Sequence, residues 1–317
     1  MSPGRVLVTG GAGFIGSHVC DHYLADGWDV TALDDLSSGR RENVPVGAEL
    51  VELDVRDPSV RDVFAERRFD VVNHHAAQID VRTSVSNPWL DASINLGGLL
   101  NLLGNSVAFG VSRFVFISSG GVVYGEPDVL PTPRTAPKQP LSPYGVSKLG
   151  SEFYLRAFRE LHGLEYVALR YSNVYGPRQD PHGEAGVVAI FSQRLRAGDP
   201  LTVFGDGEQT RDYVFVRDVA EANILATRVD LPAGGDLDTV AFNIGVGTET
   251  SVNELAAILM DISGSRVDVE HAAARPGELL RSCLDTSDTA AALGWAPRHS
   301  LVDGLRETYE AIAGAVG

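Results

Sequence analysis

The residues best able to do chemistry are a tyrosine and a lysine four positions apart, Tyr144 and Lys148, in the segment SPYGVSK at 142–148. A serine followed by a proline is typical of a helix start, and residues four apart share one face of a helix. An ammonium close to a phenol favours the phenolate and lowers the pKa of the tyrosine. The spacing therefore predicts a catalytic pair in which Tyr144 is the general base and Lys148 activates it.

A glycine-rich turn, TGGAGFIG at 9–16, follows the first predicted strand and opens the first predicted helix. Gly10 permits a tight turn, Gly13 lets the backbone approach a pyrophosphate, and Gly16 lets the helix pack closely on the strand. The first helical residues, Phe14 and Ile15, then present backbone N–H groups to the phosphates. The turn predicts a dinucleotide-binding site.

Asp34 ends the second predicted strand, where its carboxylate can accept a hydrogen bond from an adenosine ribose hydroxyl and would repel a 2′-phosphate. The predicted cofactor is therefore NAD rather than NADP. The other candidate cofactor contacts lie near the ends of later strands or in the helix between them: Asp54, Val55, His75, Ala76, Ala77, Gln78, Asn95, Ser118 and Tyr171. The adjacent pair at 74 and 75 is a poor metal site, because neighbouring strand residues point to opposite faces. No metal is expected.

The elements that must position these residues alternate through the first 170 residues. Strands are predicted at 5–9, 29–33, 49–55, 70–73, 113–118 and 165–170, and helices at 14–26, 58–67, 88–109 and 143–162. This order predicts an α/β fold, a doubly wound parallel sheet of the Rossmann type. We expect an NAD-binding domain at 1–170 and a smaller mixed α/β substrate-binding domain at 171–317, with about 215–245 returning to the first.

Composition narrows the class of partner. The net charge of −16 makes the chain a poor binder of nucleic acid or anionic membranes. The two cysteines, Cys20 and Cys283, have no metal-like spacing, and no apolar run reaches the ~18 residues of a membrane span. The start of the chain carries no signal-peptide pattern. A soluble cytoplasmic protein is expected.

The glycine turn, the Tyr-x-x-x-Lys pair and the chain length resemble the extended short-chain dehydrogenases/reductases. Three further segments, LRYSNVYGP at 169–177, RDYVFV at 211–216 and RPGE at 275–278, resemble the NAD-dependent sugar-nucleotide epimerases among them, the UDP-glucose 4-epimerases included. The resemblance covers nearly the whole chain. It implies a 4-epimerase of a UDP-sugar of the UDP-glucose/UDP-galactose type. Such an enzyme oxidises C4 transiently, turns the 4-keto sugar over and returns the hydride to its other face.

The resemblance also implies roles for residues of the second half. Arg211 and Arg275 would hold the nucleotide diphosphate, which suits the geometry of guanidinium groups. Asn173 would hydrogen-bond the sugar or phosphate, and Glu278 the ribose of the nucleotide. Ser282 falls at a position that limits the size of the sugar, where a small side chain leaves room for a bulky one.

One departure from the family pattern concerns the proton transfer. The resembling epimerases carry a serine or threonine where this chain has Gly120, in the run SSGGVVYG at 118–125. Ser119 is the nearest replacement hydroxyl, provided that an irregular turn directs it inward. Related dehydratases and decarboxylases carry acids at the positions of Gly121 and Val122, which cannot supply that chemistry, so the resemblance favours epimerisation.

Three alternatives stay open. A UDP-glucuronate 4-epimerase needs a group that neutralises the C6 carboxylate, and Arg178 is the candidate. A nucleotide-sugar 4-ketoreductase would need an exchangeable cofactor. A non-catalytic NAD sensor is disfavoured by the intact pair of Tyr144 and Lys148.

The resemblance further implies a homodimer, formed through an intermolecular bundle of the helices at 88–109 and 143–162. The first helix carries more apolar residues than one sheet face requires, namely Leu96, Leu99, Leu100 and Leu103.

Overall fold

The computed structural model describes residues 3–181, 186–274 and 279–314. Within these ranges the strands are β1 (Arg5–Thr9), β2 (Asp29–Asp34), β3 (Glu49–Glu52), β4 (Val71–His74), β5 (Arg113–Ser119), β6 (Glu165–Tyr171), β7 (Asn173–Tyr175), β8 (Leu201–Phe204), β9 (Thr210–Arg211), β10 (Tyr213–Phe215), β11 (Ala241–Ile244), β12 (Thr250–Ser251) and β13 (Val269–Ala272). Seven of them form one sheet in the order β11-β6-β5-β4-β1-β2-β3, and each neighbouring pair is parallel. The predicted doubly wound fold is confirmed.

The helices in the described ranges are α1 (Phe14–Ala25), α2 (Val60–Arg67), α3 (Val81–Ser86), α4 (Pro88–Ala92), α5 (Gly98–Phe109), α6 (Gly120–Val123), α7 (Pro143–His162), α8 (Val187–Ala197), α9 (Val216–Arg228), α10 (Val252–Ser263), α11 (Ser287–Leu293) and α12 (Leu301–Gly314). A π-helical stretch, Ser93–Gly97, joins α4 to α5, so the predicted helix at 88–109 is continuous. Two 3₁₀ turns lie at Arg41–Asn43 and Leu237–Val240.

The sheet is covered on both faces because its strand residues alternate between two apolar layers. Leu7 and Phe116 face the layer of α2, α5 and α7, where they pack with Leu102. Val8 and Ala32 face the other layer, which contains α1 and α9. The strands are therefore buried on both sides, as their unbroken apolar sequence predicts.

Much of the second half forms a smaller unit beside the carboxyl edge of the sheet. Helices α8, α10 and α12 share one apolar cluster with β8, and β13 pairs with β8 in parallel. In contrast, α9 packs on α1, and β11 pairs with β6 in the main sheet.

Local capping explains where several helices begin. The side chain of Ser142 accepts the Gly145 N–H at 3.1 Å at the start of α7, and that of Asn87 accepts the Leu90 N–H at 3.1 Å at the start of α4. Ser251 and Glu254 form a capping box at the start of α10. Among the described residues, no helix is both long and apolar enough to cross a bilayer.

Candidate active site

Tyr144 and Lys148 lie in the first turns of α7, on its inner face, and both are buried. The Lys148 ammonium donates a hydrogen bond to the Ile117 carbonyl of β5 at 2.8 Å. It lies 5.7 Å from the centroid of the Tyr144 ring. The helix thus brings the phenol and the ammonium together beside the carboxyl end of β5, as the spacing predicted.

The ionisation of this pair is governed mainly by burial. Burial raises the pKa of Tyr144, and the negative charge of Asp91 raises it further. Burial lowers the pKa of Lys148 to about 8, although Asp91 and Glu152 both oppose that change. For the chain alone the pKa of Tyr144 is thus raised, whereas the predicted lowering rests on the positive charges of Lys148 and of an oxidised nicotinamide acting together.

The glycine-rich turn is packed so closely that it admits no side chain at two positions. Gly10 has a φ of +68°, and a Cβ added there would lie 2.7 Å from the Ala76 nitrogen. A Cβ added to Gly16 would lie 2.1 Å from the Gly10 oxygen. Gly13 is the N-cap of α1 and offers no side-chain cap. The first N–H groups of α1 are thus open to an anionic ligand, and the turn fits a pyrophosphate.

Asp34 lies next to this turn at the end of β2 and is 7% exposed. Its carboxylate accepts the Ala12 N–H at 3.0 Å and the Leu36 N–H at 2.9 Å. Burial raises the pKa of Asp34, and the two N–H groups oppose that effect. Phe14 and Ile15 form the first turn of α1 and are half-buried. The carboxylate offers an acceptor for the ribose hydroxyls and the turn offers N–H donors for the pyrophosphate, so together they match what NAD needs.

The segment after β4 carries four of the predicted cofactor contacts, and His75, Ala76, Ala77 and Gln78 are all half-buried. Burial lowers the pKa of the His75 imidazole to about 3, although a hydrogen bond with Asn223 opposes that change. Asn95 accepts the Gln78 N–H at 2.9 Å and donates to the Gln78 carbonyl at 3.0 Å. Asn95 therefore holds the backbone of this segment in place.

Two other predicted cofactor contacts have polar groups that bond within the chain. The Asp54 carboxylate pairs with Arg56, which lowers the pKa of that carboxyl. The Tyr171 hydroxyl accepts a hydrogen bond from the Asn223 amide at 2.6 Å. Val55 is buried. Tyr171 ends β6, whereas β3 ends at Glu52 rather than at the predicted residue 55, so Asp54 and Val55 lie in the loop that follows it. The polar groups of Asp54 and Tyr171 already have protein partners.

Ser118 belongs to a buried ion-pair network rather than to an open surface. Its hydroxyl donates to Glu152 Oε1 at 2.5 Å, and Glu152 pairs with Arg170, with Oε2 2.6 Å from Nη2. Both side chains of the ion pair are fully buried. Arg170 also donates to the Tyr124 hydroxyl at 3.0 Å. The network joins the ends of β5 and β6 to α7.

Gly120 lies where the family pattern has a hydroxyl, and an apolar side chain occupies the space beside it. A Cβ added to Gly120 would lie 2.5 Å from Leu284 Cδ1, so this buried leucine fills the adjacent space. Ser119 ends β5 in an extended conformation, opposite Tyr171 of β6, and α6 begins directly after it. Its role beside Tyr144 stays a prediction. The Ser119 side chain is half-buried and does not cap α6.

The predicted substrate contacts of the second half are only partly within the described residues. Arg211 lies in β9 and donates to the Thr210 carbonyl at 2.8 Å. Ser282 is buried, and its N–H donates to the same carbonyl at 3.3 Å. Asn173 is exposed at the start of β7. Arg275 and Glu278 lie outside the described residues.

Arg178 lies against α1 instead of being free for a substrate. Its guanidinium is 2.7 Å from the Asp21 carboxylate, and the preceding Pro177 carbonyl is bonded to His18 at 2.9 Å. The arginine is thus held by α1, the helix that follows the glycine turn. Arg178 and Asp21 are far apart in sequence, so no local pattern predicts this contact.

Two buried acids next to the catalytic pair were missed by the sequence reasoning. Glu152 continues the four-residue spacing of Tyr144 and Lys148, and that spacing could have revealed it. Asp91 is fully buried in α4 and bonds to Ser147 of α7 at 2.6 Å. No local pattern reveals Asp91, because its contact is between two helices distant in sequence.

Fold and site together define an NAD-dependent enzyme built on a short-chain dehydrogenase scaffold. The model of the NAD dependent epimerase/dehydratase family matches residues 6–245, and the chain belongs to that family. It is 45% identical over 311 residues to a UDP-glucose 4-epimerase of Mycolicibacterium smegmatis, covering 96% of this chain and 97% of the relative.

Two solved structures resemble this chain in both sequence and fold. A UDP-glucose 4-epimerase with UDP-glucose from Thermotoga maritima is 45% identical, with a TM-score of 0.94 over 99% of this chain and 100% of that one. A UDP-glucose 4-epimerase in complex with NAD from Thermus thermophilus is 45% identical, with a TM-score of 0.91 over 98% of this chain and 100% of that one.

Proposed function

We propose that this protein interconverts UDP-glucose and UDP-galactose by inverting C4 of the sugar, with NAD as its resident cofactor. The observation that carries the proposal is the buried pair of Tyr144 and Lys148 beside the glycine turn and Asp34. Relatives and solved structures named UDP-glucose 4-epimerase, at 45% identity over most of the chain, support the choice of substrate.

In the proposed reaction the Tyr144 phenolate takes the proton of the sugar 4-hydroxyl and later returns it. Lys148, held by the Ile117 carbonyl, keeps positive charge near the phenolate. NAD supplies the acceptor and donor of the C4 hydride when bound, and its oxidised ring adds the positive charge that the buried phenol lacks. Arg211 and Arg275 would hold the diphosphate while the sugar turns.

The residue composition of α6 favours epimerisation over elimination or decarboxylation. The helix consists of Gly120, Gly121, Val122 and Val123, so it carries no ionisable side chain. Elimination and decarboxylation in related enzymes need acids at two of these positions. With such groups missing from α6, the proposed reaction is limited to moving hydride and one proton.

Selectivity against UDP-glucuronate is supported by the position of Arg178. That side chain is paired with Asp21 of α1, so it is not available to neutralise a C6 carboxylate without breaking the pair. The small side chain of Ser282 is compatible with a larger sugar, and N-acetylated substrates therefore belong in the test.

The test incubates purified protein separately with UDP-glucose, UDP-N-acetylglucosamine and UDP-glucuronate, and separates the products by chromatography. We expect UDP-galactose from UDP-glucose without added NAD, and NAD released on denaturation. Tyr144→Phe should lower turnover by about 10²–10⁴ and retain nucleotide binding. Conversion of UDP-glucuronate alone, or no conversion of UDP-glucose, would overturn the proposal.

We also propose a cytoplasmic homodimer formed through α4, α5 and α7. Leu99 and Leu103 do not contribute, since both are fully buried in the chain's own core, a correction to the prediction. They lie on the side of α5 that faces the sheet. The outward face instead carries Leu96 and Leu100, which are partly exposed, together with Trp89, Val146, Phe153 and Leu161.

A further inference from the structure

Asp91 is a fully buried carboxylate next to the catalytic pair. Its Oδ2 accepts the Ser147 hydroxyl at 2.6 Å, and its Oδ1 accepts the Gln78 amide at 2.9 Å and the Asn95 amide at 3.0 Å. These three partners come from α7, from the segment after β4 and from the π-helical stretch. One carboxylate therefore joins three elements of the candidate active site.

The arrangement places Asp91 between the two halves of the candidate chemistry. Ser147 directly precedes Lys148 in α7, and Gln78 belongs to the segment predicted to contact the cofactor. A hydrogen bond to each keeps α7 in register with that segment. A displacement of about 1 Å at such a place can cost ~10²-fold in rate.

The three hydrogen-bond partners of Asp91 are neutral, and a buried carboxylate without a charged partner is energetically unfavourable. The buried ammonium of Lys148 offsets that cost, since the charge of Asp91 raises the pKa of Lys148. The same charge raises the pKa of Tyr144. Asp91 thus acts electrostatically on both members of the pair.

Other ionisable groups around Lys148 differ from Asp91. Glu152, on α7, is paired with Arg170. His74 and His75, at the end of β4, are kept neutral because burial lowers the pKa of each well below its usual value. Among the residues that the structure describes, Asp91 is the acid near Lys148 whose hydrogen-bond partners carry no charge.

We propose that Asp91 is a positioning residue of the reaction: it holds the turn of α7 that carries Tyr144 and Lys148, and it is the counter-charge of the Lys148 ammonium. The proposal rests on the proposed epimerase function. It adds a fully buried residue that acts through Ser147 and Lys148.

The decisive variant is Asp91→Asn, which keeps the shape and removes the charge. Without that charge the pKa of Tyr144 falls, so the acid limb of the turnover profile, where phenolate is lost, moves to lower pH. The pKa of Lys148 falls as well, so the alkaline limb, where the ammonium is lost, moves in the same direction. We expect both limbs to shift by about one pH unit toward acid.

Asp62→Asn, which removes an exposed acid from α2, is the matched control and should leave both limbs unchanged. Ser147→Ala removes the hydrogen bond but keeps the charge, and should lower kcat about tenfold with KM and both limbs unchanged. A folded Asp91→Asn protein whose pH profile of turnover has both limbs at the wild-type pH would overturn the proposal.

If Asp91→Asn does not fold, Ser147→Ala decides: reduced kcat supports the positioning role, and wild-type kcat overturns it. Epimerase activity of the unmodified protein is measured first. An inactive wild type refutes the proposed function, whereas an active wild type with an unresponsive Asp91→Asn refutes only this inference.

Discussion

For a single residue such as Tyr144, burial and catalysis make opposite demands. Burial raises the pKa of the phenol, yet the proposed reaction needs a phenolate. The two demands are compatible when a cation is added at the moment of reaction, because that charge favours the phenolate only in the loaded site. A base that ionises only with cofactor present would leave the empty site unreactive.

Ser119 is the hydroxyl that we expect to assist Tyr144, since it directly precedes Gly120 at the end of β5. Ser119→Ala should lower kcat by about 10²–10³, the usual cost of one oriented donor, with little change in nucleotide binding. Steady-state kinetics with UDP-glucose, with Ser37→Ala as an exposed control, would show it. Wild-type kcat would mean that Tyr144 works without a second hydroxyl.

Gly120 and Leu284 form a matched pair, and this gives a prediction about stability. Gly120→Ser places a side chain against Leu284 Cδ1 and should cost about 1–3 kcal/mol of unfolding free energy. Leu284→Ala creates a cavity and should cost about 2–5 kcal/mol. The double variant should be less destabilised than the sum of the two, and chemical denaturation measures all three. Additive losses would show that the two side-chain positions do not compete for space.

At the scale of elements, one face of α7 carries both the catalytic pair and, one turn further along, the buried acid of the ion-pair network with Arg170. Tyr144, Lys148 and Glu152 follow at four-residue spacing, and the last is bonded to β5 through Ser118 and to β6 through Arg170. The helix is thereby fixed to two central strands close to the reacting groups. A rigid support of this kind is what an oriented base requires.

Removal of the Glu152 charge should therefore be costly. Glu152→Gln leaves Arg170 buried with Asp238 as its remaining acid partner, 2.9 Å away, and should lower the unfolding free energy by about 3–5 kcal/mol. Glu160→Gln, an exposed acid on the same helix, should change it by less than about 0.5 kcal/mol. Equal thermal midpoints for the two variants would contradict a structural role for the ion pair.

The elements were largely predictable from the sequence, and the contacts between them were not. The bounds of α7 and β1 match their predicted ranges, because a proline at the first turn, an N-cap serine and a short β-branched run are local signals. The dinucleotide turn is local for the same reason. The pairing of Arg178 with Asp21 and the bonds of Asp91 join residues far apart in the chain, and such contacts appear only when the helices pack.

For the whole molecule, the outward face of α4, α5 and α7 is unusual in an acidic chain. Trp89 is 81% exposed, Phe153 54% and Leu161 75%. A groove of about 510 Å³ lies on the same face, between Leu96 and Val146. Contiguous apolar surface of this kind is typical of protein interfaces, which supports the proposed dimer. Two copies related by a twofold axis would bury it symmetrically.

The dimer can be tested by placing a charge in that face. Phe153→Glu should bury two carboxylates without partners in the dimer and shift the molar mass in light scattering to that of one 33.8 kDa chain. Val302→Glu places the same charge on α12, at a residue 42% exposed, and should leave the mass of the dimer unchanged. Both variants introduce one glutamate and differ only in which surface receives it. If Phe153→Glu is monomeric and Val302→Glu is dimeric, the interface includes the face that carries Phe153. A wild-type chain that is already monomeric at working concentration, or a Phe153→Glu protein that stays dimeric, would place the association elsewhere or remove it.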